Sequence, residues 1–292
     1  GPFVIDTVDL DAGVVRFSRN PYWNGPDPAL EGFEIHLYRN LEVLSLALEK
    51  GEVDTYYKYA SSYPYSGVER LEKAGGFDFV ETPNLGLVFL GFNLKHGPSS
   101  DPAFRQAVAH ALDYGEILEL DGMGYGQVPN RGFIAPSMGG FFETKPLERA
   151  PDASRGLLSE AGYTDADDDG MRELPDGDEL ELEVMVRSNW ARVGELVVDY
   201  LREVGVKAKL RSVELESWVA AKDAYEYDLT VTRTTPWGML MHAGWGTGYF
   251  DARRTGRGVL HTVEDQEFLA LADEILATAD PEERLRLGGL VQ

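Results

Sequence analysis

The side chains best suited to binding a small molecule are concentrated between positions 233 and 251. This stretch reads RTTPWGMLMHAGWGTGYFD and combines an arginine, two tryptophans, a histidine and a tyrosine with several glycines. It follows a predicted strand, and loops that follow strand ends are where α/β folds place their ligands. Aromatic rings supply amphipathic walls, and glycines allow a ligand to approach the backbone closely. The stretch therefore predicts a ligand site; the alternative is that Trp237 and Trp245 close the hydrophobic core.

A second group of candidate residues forms an acidic loop between positions 165 and 176. The segment DADDDGMRELPD has the D-x-D-x-D-G form of a calcium loop, in which alternate carboxylates converge on one ion. Position twelve is an aspartate where a bidentate glutamate is usual, and the flanks predict a helix and then a strand instead of two helices. An exposed acidic turn is the alternative, and a bound calcium ion would be structural. The candidate ligands are Asp165, Asp167, Asp169, Glu173 and Asp176.

No combination of residues indicates catalysis. The sequences G-x-S-x-G, H-E-x-x-H and Walker A are absent, and the chain has no cysteine. The glycines between Gly122 and Gly126 lack the spacing and the strand-to-helix setting of a nucleotide site. The many carboxylates fall on predicted solvent faces of helices, where charges are usually solvated. We therefore predict that the protein is not an enzyme.

The composition restricts the partners of the chain. The formal net charge is −23, whereas nucleic acids and anionic membrane surfaces require a basic face, so neither is expected to bind. No stretch approaches the roughly 18 apolar residues of a membrane-spanning helix. The acidity fits a solvated surface that keeps an extracytoplasmic protein soluble, and adaptation to salt is the alternative.

Alternating strands and helices must position these candidate residues. Asp101 and Pro102 are a favourable helix start, after which Phe104, Val108 and Leu112 fall on one face. Strands are predicted at 32–39, 87–94, 180–187, 206–213 and 227–233, with helices at 41–50, 102–112, 115–120, 152–161, 191–204 and 216–224. Two further helices, broken at a proline, are predicted after position 262. This alternation is typical of an α/β domain.

Several motifs resemble those of the solute-binding proteins of ABC importers, extracellular family 5, which bind peptides or nickel. The resemblance rests on RNPYWNG at 19–25, LEKGEVD at 48–54 and FRQAVAHALD at 104–113. It implies an α/β fold of the periplasmic-binding-protein type II class with two lobes. It also implies a truncated fragment, in which residues 1–90 form part of lobe I and residues 91–292 form most of lobe II. The strand ending at Asn93 would then cross between the lobes.

The resemblance also bears on the ligand. Peptide-binding members carry an aspartate shortly after the tryptophan that corresponds to Trp237, and that aspartate pairs with the peptide amino terminus; Gly238 and two apolar residues follow here. Nickel-type members carry Arg-Thr-Trp-Gly and a later histidine. This chain has the similar pairs Arg233-Thr234 and Trp237-Gly238, with two extra residues between them. A metal held in an organic chelator is therefore favoured over a plain peptide. The candidate ligand-binding residues are Arg233, Trp237, Gly238, His242, Trp245, Tyr249 and His261.

The resemblance implies the cellular setting as well. We expect an extracytoplasmic monomer, either periplasmic or a membrane-anchored lipoprotein, whose signal region is absent from this sequence. Its partners would be a small-molecule or peptide ligand and the permease subunits of an ABC importer. No cofactor is expected to be required, with calcium in the acidic loop and a nickel chelate as the ions to consider. Two alternatives remain open: a calcium-stabilised hydrolase, and an interaction module that uses an exposed apolar patch.

Overall fold

The computed structural model describes residues 1–57, 63–82, 86–129, 145, 147–233, 253 and 265–291. They divide into two compact units, Gly1–Val80 and Glu81–Gln292. The family resemblance predicts a boundary between lobes near position 90. The strand that ends before Asn93 pairs within the second unit, and the assignment of the units to lobes stays a prediction.

The first unit is built on a three-stranded antiparallel sheet with strand order β1-β2-β3. Phe33 stacks on Phe17 with ring centroids 4.5 Å apart, and Phe3 contacts Phe33 edge-on. Two helices follow, and the side chain of Asn40 caps the first one as predicted, accepting a hydrogen bond from the Val43 amide. The elements are β1 (Phe3–Asp9), β2 (Val14–Arg19), β3 (Gly32–His36), α1 (Leu41–Glu49) and α2 (Tyr65–Ala74).

The second unit contains a four-stranded sheet with strand order β4-β7-β5-β6. Strand β5 runs parallel to both β6 and β7, and β4 is antiparallel to β7. The strands are β4 (Val88–Phe92), β5 (Glu181–Arg187), β6 (Lys207–Val213) and β7 (Leu229–Arg233). The helices are α3 (Pro102–Ala111), α4 (Tyr114–Gly122), α5 (Pro151–Glu160), α6 (Ala191–Glu203), α7 (Leu215–Ala224), α8 (Gln266–Ala277) and α9 (Pro281–Val291). The predicted α/β class is confirmed.

Hydrophobic packing covers both faces of this sheet. Successive side chains of a strand point to opposite faces. Val184 and Val186 accordingly belong to the main core with Leu201 of α6, while Met185 packs with Trp218 of α7. Helices α6 and α7 therefore lie on opposite faces of the sheet. None of the described helices combines the length and the apolar character that crossing a membrane requires.

Helix α3 matches the sequence prediction closely. The Asp101 carboxylate accepts a hydrogen bond from the Ala103 amide, and Pro102 occupies the first turn. Phe104, Val108 and Leu112 are all buried in the main core. Asn93 anchors the strand that precedes this helix. Its side-chain Nδ2 atom donates to the backbone carbonyls of Tyr225 and Tyr227, in the loop between α7 and β7.

Candidate functional site

The carboxyl ends of the parallel strands meet at one edge of the second sheet. Strand β5 ends at Arg187 and β7 ends at Arg233, while β4 runs in the opposite direction and begins here with Val88 paired to Arg233. Open α/β sheets bind their ligands outside the carboxyl ends of the strands. Two arginines therefore lie at the edge where a ligand is expected, and Arg233 is the one predicted from the sequence.

Arg187 is held against an aromatic ring. Its guanidinium carbon lies 5.9 Å from the centroid of the Trp218 ring, within the range of a cation–π contact. The ring is fixed in turn, because Trp218 Nε1 donates to Thr230 Oγ1 over 2.9 Å. The Arg187 Nε atom is buried and has no hydrogen-bond acceptor among the described residues. Burial, reinforced by the Arg233 charge, lowers the pKa of the Arg187 guanidinium.

Arg233 is exposed and stands near a carboxylate. Alternation along β5 and β7 places it on the opposite face from Arg187, the face that also carries Val231. Burial raises the pKa of the Asp121 carboxyl at the end of α4, and the Arg233 charge partly offsets that rise. The positive charge of Arg233 is thus close to a negative one, whereas that of Arg187 is not paired with a carboxylate among the described residues.

An indole donor is also buried beside this edge. Trp190 lies in the short 3-10 turn that leads from β5 into α6, and it is 5% exposed. Its Nε1 atom has no acceptor among the described residues. Neither Trp190 nor Arg187 was predicted as a site residue. The signal available in the sequence was a single basic residue directly after the buried run Val184–Val186.

Of the predicted ligand-binding residues, the structure describes Arg233. Its position at the end of β7 agrees with the prediction that the stretch follows a strand. The other candidates lie outside the described residues, so their part in a ligand site stays a prediction. They are Trp237, Gly238, His242, Trp245, Tyr249 and His261.

The acidic loop brings three of its five candidate ligands together. One carboxylate oxygen from each of Asp165, Asp167 and Glu173 lies within 4.8 Å of the others. Asp169 and Asp176 are not in this group: Asp169 accepts a hydrogen bond from the Met171 amide, and Asp176 accepts one from the Asp178 amide. The flanking elements are a helix and a strand, as predicted.

The grouped carboxylates also hold the loop together. Asp165 Oδ2 accepts from the Gly170 amide over 3.0 Å, and Glu173 Oε2 accepts from the Ala166 amide over 2.7 Å. The backbone at Asp168 and Gly170 has positive φ angles of 62° and 89°, which the turn requires. The geometry is that of a self-capped acidic turn, and calcium in it stays a prediction.

Comparison with known proteins places the chain in a family. Residues 1–255 match the family model described as bacterial extracellular solute-binding proteins, family 5 middle. The nickel-binding periplasmic protein of Escherichia coli (strain K12) is 24% identical over 252 residues, which are 85% of this chain and 46% of that protein. The glutathione-binding protein GsiB of the same strain is 24% identical over 215 residues, 73% of this chain and 39% of that protein.

Solved structures show the same fold. NikA from Brucella suis, in complex with Fe(III)-EDTA, superposes with a TM-score of 0.81 at 24% identity, covering 100% of this chain and 59% of that one. The oligopeptide-binding protein AppA from Bacillus subtilis, in complex with a nonapeptide, gives a TM-score of 0.74 at 17% identity and covers 57% of that chain. The predicted periplasmic-binding-protein type II fold is confirmed. This chain spans about half the length of its curated relatives. Because the family model matches most of its residues, the chain belongs to family 5 of the bacterial extracellular solute-binding proteins.

Proposed function

We propose that the chain is part of an extracytoplasmic receptor that captures a small solute and delivers it to the permease subunits of an ABC importer. The observation that carries this proposal is the family match over residues 1–255. The ligand would be nickel, a metal chelate or a short peptide, since relatives are named for nickel, for glutathione and for complexes with Fe(III)-EDTA and a nonapeptide. We further propose that the receptor acts as a monomer.

Within this range we favour a metal chelate. The sequence places Gly238 and apolar residues after Trp237, where an aspartate would pair with a peptide amino terminus. The tryptophan faces would pack on the chelator, and the imidazole of His242 or His261 would coordinate the metal.

The receptor would work by a shift of population between open and closed states. A ligand that contacts both lobes binds the closed state better and therefore favours it. The permease then recognises the closed receptor. No specific observation on the described residues favours the hydrolase or the interaction module over this function.

A panel of solutes tests the proposal. The unfolding temperature of the full natural chain would be measured with nickel chloride, nickel–histidine, Fe(III)-EDTA, glutathione and a dipeptide pool. A ligand that binds only the folded state raises the free energy of unfolding by about 2.7 kcal/mol when its free concentration is 100 times its dissociation constant. The corresponding rise in unfolding temperature is readily measured. We expect nickel–histidine or Fe(III)-EDTA to give such a shift and to be recovered chemically unchanged. A chain that responds to none of these solutes, or that converts one of them, would contradict the proposed function.

A further inference from the structure

We propose that the second unit depends on salt for its stability. Residues 160–183 form an acidic band whose like charges repel each other at low ionic strength, and cations of the surrounding medium screen that repulsion. Such a receptor would be suited to a medium that contains about 1 M salt or more. The inference goes beyond the proposed function and does not rest on it, because it concerns the chain without a solute.

The acidic band runs from the end of α5 through the acidic loop into β5. Of its 24 residues, eleven are aspartate or glutamate and one, Arg172, is basic, so the band carries −10 of the chain's formal charge of −23. None of the eleven residues is buried, and nine are exposed. They are Glu160, Asp165, Asp167, Asp168, Asp169, Glu173, Asp176, Asp178, Glu179, Glu181 and Glu183.

The one arginine of the band does not pair with its carboxylates. Arg172 Nε donates to the Val204 carbonyl over 3.0 Å, and Nη1 donates to the Tyr163 carbonyl over 2.6 Å and to the Ser159 hydroxyl over 3.0 Å. It forms no ion pair between described residues. Its guanidinium therefore ties the acidic loop to the ends of α5 and α6 and leaves the carboxylates of the band without a direct partner.

The neighbouring strand β6 supplies three cations, which is fewer than the band needs. The ion pairs are Lys207 with Glu179, Lys209 with Glu181 over 3.6 Å, and Arg211 with Glu183 over 2.9 Å. The other eight carboxylates of the band form no ion pair between described residues. Ion pairs at the surface contribute little to stability, so the three pairs leave a band in which repulsion dominates.

The fold holds like charges at a separation that salt can screen. One carboxylate oxygen from each of Asp165, Asp167 and Glu173 lies within 4.8 Å of the others. The Debye length is about 10 Å at 0.1 M salt and about 3 Å at 1 M, so repulsion at this separation persists at the lower concentration and is strongly reduced at the higher one. Unfolding moves such groups apart, and a large charge of one sign therefore destabilises the compact state. Salt should relieve this cost.

Thermal unfolding of the full natural chain tests the inference. The midpoint would be followed by circular dichroism in buffer freed of divalent ions, so that a calcium site does not contribute. Raising KCl from about 0.1 M to about 2 M should raise the midpoint of the wild type by about 5–10 °C. No rise with KCl would overturn the inference.

A double variant locates the effect in the acidic band. Asp167→Asn with Asp178→Asn removes two exposed charges, and the new amide at position 167 keeps an oxygen that can accept from the Asp169 amide. The variant should unfold about 2–4 °C higher than the wild type at 0.1 M KCl and within about 1 °C of it at 2 M. A gain that is the same at both concentrations, or a lower midpoint at 0.1 M, would overturn the inference.

The matched control removes two exposed charges from α6. Glu195 and Asp199 each lie three residues from an arginine, Arg192 and Arg202 respectively, so their charges are not surrounded by like charges. Glu195→Gln with Asp199→Asn should shift the midpoint by no more than about 1 °C at either concentration. A gain equal to that of the band variant would reject the acidic band as the cause. No solute is present, so these outcomes leave the proposed function standing, and a chain that binds none of the solutes leaves this inference standing.

Discussion

Replacing Asn93 by alanine should destabilise the second unit strongly. Asn93 is 1% exposed, and its Nδ2 atom donates to the Tyr227 carbonyl over 2.8 Å and to the Tyr225 carbonyl over 2.9 Å. These bonds tie the end of β4 to a loop more than 130 residues later in the chain. Removing a donor and leaving a buried acceptor unpaired costs about 1–3 kcal/mol.

The two carbonyls are not equivalent. The Tyr227 bond is fully buried, so its loss carries the full cost. The Tyr225 carbonyl also lies 3.2 Å from His96 Nε2, which can serve as an alternative donor. We therefore expect the loss of the hydrogen bond to the Tyr225 carbonyl to cost about 0.5–1.5 kcal/mol. Together the two bonds predict a decrease of about 1.5–4.5 kcal/mol in the free energy of unfolding.

Urea unfolding followed by tryptophan fluorescence measures this change. The matched control is Asn189→Ala, an exposed asparagine in the turn after β5, for which the change should stay within about 0.5 kcal/mol. A loss below about 1 kcal/mol for Asn93→Ala, with an unchanged m-value, would refute the reasoning, because it would mean that the buried carbonyls find other donors.

Two further predictions concern titration and metal binding. Burial raises the pKa of Tyr227 to about 12 from a value of 10.0, so the unfolded state loses this proton first and stability should fall as the pH rises from about 10 to 12. The free energy of unfolding should fall by about 2–3 kcal/mol over this range because of Tyr227, and Tyr227→Phe should remove that contribution. Identical dependence of stability on pH in the two proteins would contradict the raised pKa of Tyr227. If the acidic loop holds the predicted structural calcium, about 1 mM Ca²⁺ should raise the unfolding midpoint of the wild type but not of Asp165→Asn. An equal rise in both proteins, or none in the wild type, would reject a site at Asp165, Asp167 and Glu173.

Local signals in the sequence were sufficient for several elements. The start of α3 depends on a cap at Asp101 and a proline beside it, and its buried face depends on residue spacing, so both can be read without tertiary information. Helix α2 was not predicted. Pro64 precedes it without a side-chain cap, and Leu71 is its one buried residue, so it lacks the capping signal that marks the starts of α1 and α3.

Non-local features could not be predicted. The order of the sheet places β7 between β4 and β5, although β7 is the last of these strands in the chain. Arg187 shows the same limit at the level of one residue. In the sequence it is a lone charge at a strand end, which is usually solvated, and its contact with Trp218 depends on how α7 packs on the sheet.

The acidic loop shows how one pattern of residue types is compatible with two local structures. The spacing of the aspartates predicted five ligands for one ion. In the structure the loop's own amides donate to carboxylates inside and outside the group: Asp165 and Glu173 accept such bonds within it, and Asp169 and Asp176 accept them outside it. Asp and Asn side chains commonly make such local bonds, and the pattern of residue types alone does not distinguish them from ligands.

Calorimetric titration of the full natural chain with nickel–histidine tests the central claim most directly. Nickel alone and a dipeptide pool serve as the comparisons. We predict saturable binding of one nickel–histidine complex per chain, with no comparable binding of nickel alone, and loss of affinity in a Trp237→Ala variant. Saturable binding of the dipeptides without binding of nickel–histidine would contradict the preference for a chelate. Absence of binding to all three, and to Fe(III)-EDTA and glutathione as well, would contradict the proposed receptor function.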